Sequence, residues 1–347
     1  MRLRTLVVPL AAFVTVLAVT VPASANPHHA PSWQLLPTGS TQQFRGLAGV
    51  SHDVAWLAGT GGTVLRTTDG GRHWSDVSPP DASTLEFRDI EAWDARHAVA
   101  LTIGNGPDSA IFRTSDGGAH WQRTFTNDDA NAFYDCLAFF NPHDGLAVSD
   151  PVDGKFRLIA THDGGRSWSL VSPDGMPPAQ TGEFGFAASG TCLIASGHDA
   201  WIASGGGTSA RVFHSRDMGQ HWTMADTPMV VGPSAGIYSL AVSGHRDLAA
   251  VGGDFEAPTA RVDVAATSRD GGSSWRLASV MTGGYRSGVA FASGRSLIAV
   301  GPTGSDVSTD GGRTWTTFDT GYFDTVQRAG DGTVWASGKD GRVAVLR

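Results

Sequence analysis

Arginines, carboxylates and tyrosines recur at the starts of successive short apolar runs. Phe44-Arg45-Gly46, Phe87-Arg88-Asp89, Phe133-Tyr134-Asp135, Ile237-Tyr238-Ser239, Tyr285-Arg286-Ser287 and Phe323-Asp324-Thr325 take equivalent places along the chain. Guanidinium groups such as Arg45, Arg88 and Arg286 can clamp a carboxylate through paired hydrogen bonds. Asp89, Asp135 and Glu183 supply carboxylates beside them, and Tyr134, Tyr238 and Tyr285 supply phenolic hydroxyls. Asp150 and Asp153, then Asp254 and Glu256, fall in two longer turns, where binding groups tend to reside. These residue types serve two chemistries. Glycoside hydrolysis needs two carboxylates about 5–9 Å apart, here with an arginine clamp and a Tyr–Glu nucleophile. Recognition of a partner needs the arginines alone. A third arrangement is inert: Arg45, Arg88 and Arg286 paired with Asp89, Asp135 and Glu183 in a ring of ion pairs that fills space.

Other chemistries lack their setting. Gly104-Asn105-Gly106 and Gly59–Gly62 fall between strand-like runs, whereas a dinucleotide fingerprint opens a helix after a strand. Gly232-Pro233-Ser234-Ala235-Gly236 matches a nucleophile elbow by letters but lacks the strand–turn–helix context. Asp150-Pro151-Val152-Asp153-Gly154 reads as a turn before it reads as a calcium loop. We expect no cofactor and no metal.

The elements that must position these groups come from a repeat. The pattern Ser/Thr-x-Asp-x-Gly-x-x-Trp occurs at 67–74, 114–121, 161–168, 215–222, 268–275 and 308–315. Its carboxylates are Asp69, Asp116, Asp163, Asp217, Asp270 and Asp310, and its rings are Trp74, Trp121, Trp168, Trp222, Trp275 and Trp315. Successive aspartates are 47, 47, 54, 53 and 40 residues apart, the size of a four-stranded propeller blade. Within each unit, Asp closes a tight turn by accepting backbone N–H groups, Gly supplies positive φ, and Trp packs beneath the hairpin. Six equivalent carboxylates spread around a ring cannot converge on one substrate, so their role is structural.

These turns resemble the Asp-box, or BNR, repeats of sialidase-type propellers and their non-enzymatic relatives. Phe87–Ala92, Ser149–Phe156 and Ser305–Gly312 are similar to segments of bacterial secreted propellers grouped with photosystem II stability/assembly-factor-like proteins. The resemblance covers the whole mature chain. It implies an all-β propeller and, from the assembly-factor side, a protein partner held without turnover, with Arg45, Arg88 and Arg286 as positional counterparts of partner-binding arginines. From the sialidase side it implies a hydrolase, but Phe44-Arg45-Gly46-Leu47 stands where those enzymes carry Phe-Arg-Ile-Pro.

The ends of the chain complete the count. Trp33–Pro37 looks like the strand that follows a box yet has no box before it, and 323–347 gives three strands without a fourth. Joined, they make a seventh blade after the six boxed ones. Residues 1–25 read as a secretory signal, with Arg2 and Arg4, the apolar run 6–21 and Ala23-Ser24-Ala25. Residues 26–32 read as a disordered leader, and 33–347 as one propeller. Removing 25 of 347 residues leaves 322, about 46 per blade for seven blades.

Net charge is −8, and −10 without the two leader arginines, with Lys155 and Lys339 the only lysines. No basic stripe invites nucleic acid, and no segment beyond the leader is apolar enough for membrane insertion. Cys136 and Cys192 both map to first strands, of units three and four, and a secreted chain with two cysteines favours a disulfide. The reading is thus a secreted, monomeric, all-β seven-bladed propeller that binds a protein partner or glycan at its channel mouth, with glycoside hydrolysis as the runner-up. The mouth set is Arg45, Arg88, Asp89, Tyr134, Asp135, Asp150, Glu183, Tyr238, Asp254, Tyr285 and Arg286.

Overall fold

The computed structural model describes residues 30–347. The proposed signal, most of the leader, and His28-His29 lie outside the described residues. Twenty-eight strands form seven four-stranded antiparallel sheets. Blade 1 runs Phe44–Gly49, Ala55–Gly59, Val64–Thr67 and Ser75–Asp76 from the channel outward. The inner strands of blades 2 to 7 are Glu86–Ala92, Tyr134–Phe139, Leu193–Ser196, Ala235–Ser243, Gly288–Ser293 and Thr325–Arg328.

Burial explains the strand sequences. The second strand of blade 1, Ala55-Trp56-Leu57-Ala58-Gly59, is buried at every position. Neighbouring blades cover both of its faces, so it is continuously apolar rather than alternating. The core therefore lies between blades: Trp56 and Val64 of blade 1 pack against Phe87 and Phe112 of blade 2. Outer strands such as Ser75–Asp76 and Ser169–Leu170 are two residues long and exposed, which limits free edges.

Blade 7 closes as expected. Its order is Thr325–Arg328, Val334–Ser337, Arg342–Leu346 and then the N-terminal strand Trp33–Pro37. Trp33 pairs with Leu346 and Pro37 with Arg342. Trp33 also donates its indole N–H to Ser305 Oγ at 2.9 Å and packs beside Phe318 and Phe323.

The six Trp turns share one hydrogen-bond pattern. In blade 1 the Thr67 hydroxyl donates to Asp69 Oδ1 at 3.0 Å and accepts from Gly71 N at 2.9 Å, while His73 N donates to Asp69 Oδ1 at 2.9 Å. Gly70 and Gly71 have φ of 74° and 78°. Blade 4 departs from this: Met218 takes the left-handed conformation at φ 59°. Three tryptophans stay tied to their own turns: the indole N–H groups of Trp222, Trp275 and Trp315 donate to Gly219 O, Gly272 O and Gly312 O at 2.9, 3.0 and 3.1 Å. In blades 1 and 2 the ring also reaches the preceding blade, with Trp121 edge-on to Trp56 and Trp74 edge-on to Trp335, both at 6.3 Å. Burying such a ring contributes on the order of 4–6 kcal/mol as an upper bound.

Cys136 and Cys192 form a disulfide with Cα atoms 6.0 Å apart. Cys136 lies on the inner strand of blade 3, and Cys192 stands one residue before that of blade 4.

Candidate binding site

The inner strands position the mouth through a repeated irregularity. In blades 1, 2, 3 and 5 the ladder between first and second strands slips at one residue: Arg45, Arg88, Asp135 and Tyr238. Bulged residues leave the pleat and re-aim their side chains. The residues that align in sequence are thus the ones that the backbone turns out of the sheet.

Three of the four reach a cleft of about 450 Å³ at the mouth, lined by Arg45, Arg88, Phe186, Tyr238, Phe255, Tyr285, Tyr322 and Asp324 among others. Tyr238 stacks on Phe186 at 3.8 Å and meets Tyr285 edge-on at 4.7 Å, and its hydroxyl donates to Ser234 O at 2.7 Å. Burial pushes the phenols of Tyr238 and Tyr285 above their usual range, so both stay neutral. Arg88 donates to Ala187 O at 2.6 Å and pairs with Glu86 at 2.9 Å. Burial, then the neighbouring Arg45, pull the Arg88 guanidinium below its usual value, though it keeps its charge. Arg45 stands 3.7 Å from Asp324, whose other contacts are Gln43 at 2.8 Å and Tyr322 at 3.3 Å. Asp324 is pushed upward by burial against the pull of Arg45.

The remaining expected mouth residues are elsewhere. Arg286 is fully buried with Asp306, Nε to Oδ2 at 2.6 Å. It precedes its strand, so no bulge turns it outward. Glu183 is buried too, bound by Arg211 Nε at 2.8 Å and by Ser204 Oγ at 2.6 Å, inside blade 4. Tyr134 fills the gap between blades 2 and 3 against Phe125, 5.1 Å away. Asp254 caps a turn, accepting from Ser234 Oγ at 2.7 Å and Glu256 N at 2.9 Å, which presents the exposed Phe255.

Asp89 faces down the channel and accepts Leu137 N at 2.7 Å. The channel beneath the mouth is a cavity of about 580 Å³, and Asp89 and Glu91 are both in its wall. Burial raises Glu91 to about 7, and burial followed by Glu91 raises Asp89. Asp135 and Asp150 form a carboxyl pair under blade 3. Burial, then Asp150, pushes Asp135 well upward, and burial raises Asp150 to about 6 while Gly185 N donates to it at 2.8 Å. The expected ring of Arg45, Arg88 and Arg286 with Asp89, Asp135 and Glu183 does not form: none of those pairs is an ion pair among the described residues.

Sequence reasoning missed Phe186, Tyr322, Pro258 and Pro302. Phe186 rides on the long crossover between blades 3 and 4, where no repeat guides alignment. Its local signal is Phe184-Gly185-Phe186. The glycines of this region are needed: a Cβ on Gly236 would lie 2.5 Å from Gly205 Cα and 3.0 Å from the Phe186 ring.

No family model and no curated protein matches the chain. Solved structures do. Ycf48 bound to D1 peptide superposes with a TM-score of 0.64 at 14% identity, covering 94% of this chain and 99% of that one. Ycf48 from Cyanidioschyzon merolae gives 0.64 at 17% identity, covering 91% and 98%. The GH74 xyloglucanase from Xanthomonas campestris gives 0.63 at 16% identity, covering 91% of this chain and 53% of that one. What these likenesses establish is the propeller.

Proposed function

We propose that this chain is a secreted, monomeric Asp-box propeller of the assembly-factor-like kind, which binds a peptide segment of a protein partner at its mouth without turnover. The observation that carries this reading is the composition of the mouth. Arg45 and Arg88 stand over an aromatic floor, and Asp324 is the one carboxylate lining that cleft among the described residues. Arginine and aromatic side chains together are the usual anchors of an interface. A likeness to Ycf48 in complex with a peptide supports a peptide ligand here. The leader, which lies outside the described residues, and the disulfide support export.

The runner-up, glycoside hydrolysis, draws on the likeness to a xyloglucanase. It needs a second carboxylate facing the same cleft, and Asp135 is instead buried, beside the partly buried Asp150. The test is a peptide array probed with wild type and with Arg45→Ala/Arg88→Ala, run beside a fluorogenic-glycoside and xyloglucan screen. Peptides retained by wild type and lost by the double variant support the reading. Turnover that Asp135→Asn abolishes would overturn it.

A further inference from the structure

One segment closes the channel. The crossover between blades 3 and 4 gives Phe186, Ala187 and Ala188 to the mouth cleft, and Ser189, Gly190 and Thr191 to the cavity beneath it. Thr325 of blade 7 donates its hydroxyl to Ser189 O at 3.2 Å, and the Thr191 hydroxyl meets that of Ser239 in blade 5 at 2.6 Å. On the side of blade 2, a Cβ on Gly190 would lie 2.3 Å from Asp89 Oδ1, so the segment runs directly against that carboxylate. It is a strap across the bore. The cleft above and the cavity below share no lining residue. The cavity is therefore a chamber of its own, opening at the far face, where Ser243, Gly244, Ser293 and Gly294 follow their inner strands.

The chamber lacks a cation where its chemistry calls for one. Its charged groups are Asp89, Glu91 and Arg328. Arg328 is exposed at the opening, where its Nε donates to Ala292 O at 2.7 Å. Asp89 is only 4% exposed and accepts the Leu137 amide at 2.7 Å. Glu91 is half-buried and accepts no hydrogen bond from any described residue. The ion pairs that arginines make among the described residues all go to other acids. A carboxylate withdrawn from water without a cation is costly, and burial accordingly raises both groups.

Spacing and surroundings indicate what kind of cation fits. Asp89 and Glu91 lie beyond the bulge at Arg88, two residues apart on a regular ladder. They therefore point to one side of the strand, with Cα atoms about 6–7 Å apart. Leu47, Ile90, Leu193, Leu240, Val289 and Phe291 add apolar wall. A metal ion is poorly served, since no third His, Cys, Asp or Glu is grouped with the pair among the described residues. A quaternary ammonium has no N–H to give a carboxylate. A chain of primary and secondary ammonium groups has both the donors and the alkyl spacers.

We propose that the chamber binds a linear aliphatic polyamine, with one ammonium at Asp89 beneath the strap, the next at Glu91, and the methylenes between them against the apolar wall.

The test titrates spermidine into the full-length mature protein by calorimetry, at a salt concentration that screens loose pairing of polyamines with an acidic surface. One saturable site is expected, and magnesium should not compete for it. Affinity should be higher at pH 8 than at pH 6, because Glu91, raised to about 7, must give up its proton to the incoming ammonium. Glu91→Gln keeps the size of the side chain without its charge, and should lower affinity at pH 8 about tenfold or more. The same change should remove most of the difference between the two pH values. Asp89→Asn retains an acceptor for Leu137 N and should also weaken binding. Far-UV spectra and melting temperatures check that both variants are folded. No binding at pH 8, multiple non-saturating sites, displacement by equimolar magnesium, or equal affinity at pH 6 and pH 8 would each overturn the proposal. So would a folded Glu91→Gln variant that binds spermidine as wild type does.

Discussion

Arg88 Nη1 donates to the carbonyl of Ala187 at 2.6 Å, tying the one arginine to the crossover that carries Phe186. The bond joins blade 2 to the crossover between blades 3 and 4, so the cation and the aromatic floor are positioned as a unit. Arg88→Ala leaves that carbonyl short of a charged donor, at a cost of about 1.5–3 kcal/mol in stability. It should also lower affinity for any mouth-bound peptide at least tenfold. Arg88→Lys keeps the charge without the fork and should recover part of the affinity. Peptide titration beside urea melts checks both; an Arg88→Ala variant with unchanged affinity removes Arg88 from the site.

The buried pairs should behave in the opposite way. Arg286 and Asp306 are both fully withdrawn from solvent, and Asp306 also accepts Gly283 N at 3.0 Å. Asp306→Ala strands a guanidinium in the interior and should cost about 3–5 kcal/mol. Glu183→Ala should do the same to Arg211. Neither change touches the mouth cleft. Refolded protein at low denaturant should therefore keep its peptide affinity while its unfolding midpoint drops. A loss of affinity without loss of stability would place these residues in the site after all.

Such outcomes bear on what the sequence makes legible. The Trp turns declare the blade count because each needs the same Asp, Gly and Trp, and the N-terminal strand shows itself because Trp33 repeats the residue that follows a turn. The alignment of Arg45, Arg88 and Tyr238 finds the mouth because all three are bulge residues. It fails at Arg286, which shares the letters but precedes its strand, and at Glu183, whose partner Arg211 lies 28 residues on, in a third strand. Register and pairing are tertiary facts, and a repeat reveals them only where every copy obeys the same backbone geometry.

Met218 offers a gain. It occupies φ 59° where the other Trp turns place glycine, as with Gly70 at 74° and Gly271 at 76°. A side chain in the left-handed region costs about 1–2 kcal/mol. Glycine there also raises the entropy of the unfolded chain, so Met218→Gly should stabilise by a net of about 1 kcal/mol or less. A thermal melt decides the sign, and a fall in melting temperature would mean that Met218 packs well enough to offset its strain.

The Cys136–Cys192 bridge closes a separation of 56 residues between adjacent inner strands. Constraining an unfolded loop of that length contributes about 4 kcal/mol in the chain-entropy model. Cys136→Ser/Cys192→Ser should lower the urea midpoint accordingly while leaving the mouth intact. Wild type in reductant should match the variant only after unfolding, because both sulfurs are buried. Rapid reduction of native protein, followed by free-thiol labelling, would contradict that placement.

Stability should peak in mild acid, because two sets of carboxylates pull in opposite directions. Asp69 is held at about 2, first by the His73 backbone N–H, and Asp116 at about 2, first by the His120 side chain. A folded value below the unfolded one gives stability that is present above about pH 4 and lost as pH falls through about 2. Burial has the reverse effect on Glu91, raised to about 7, and on Asp150, raised to about 6 beside Asp135. Their folded values exceed the unfolded ones, so their penalty is absent below about pH 4 and grows as pH rises through 6 to 7. The melting temperature should therefore be highest near pH 4, fall toward pH 2, and decline from about pH 4 to pH 7 before levelling. Glu91→Gln cannot ionise and should flatten the alkaline limb without altering the acid one. If wild type and Glu91→Gln lose stability in parallel from pH 5 to pH 8, the Glu91 carboxylate in the channel wall is not the source of that limb.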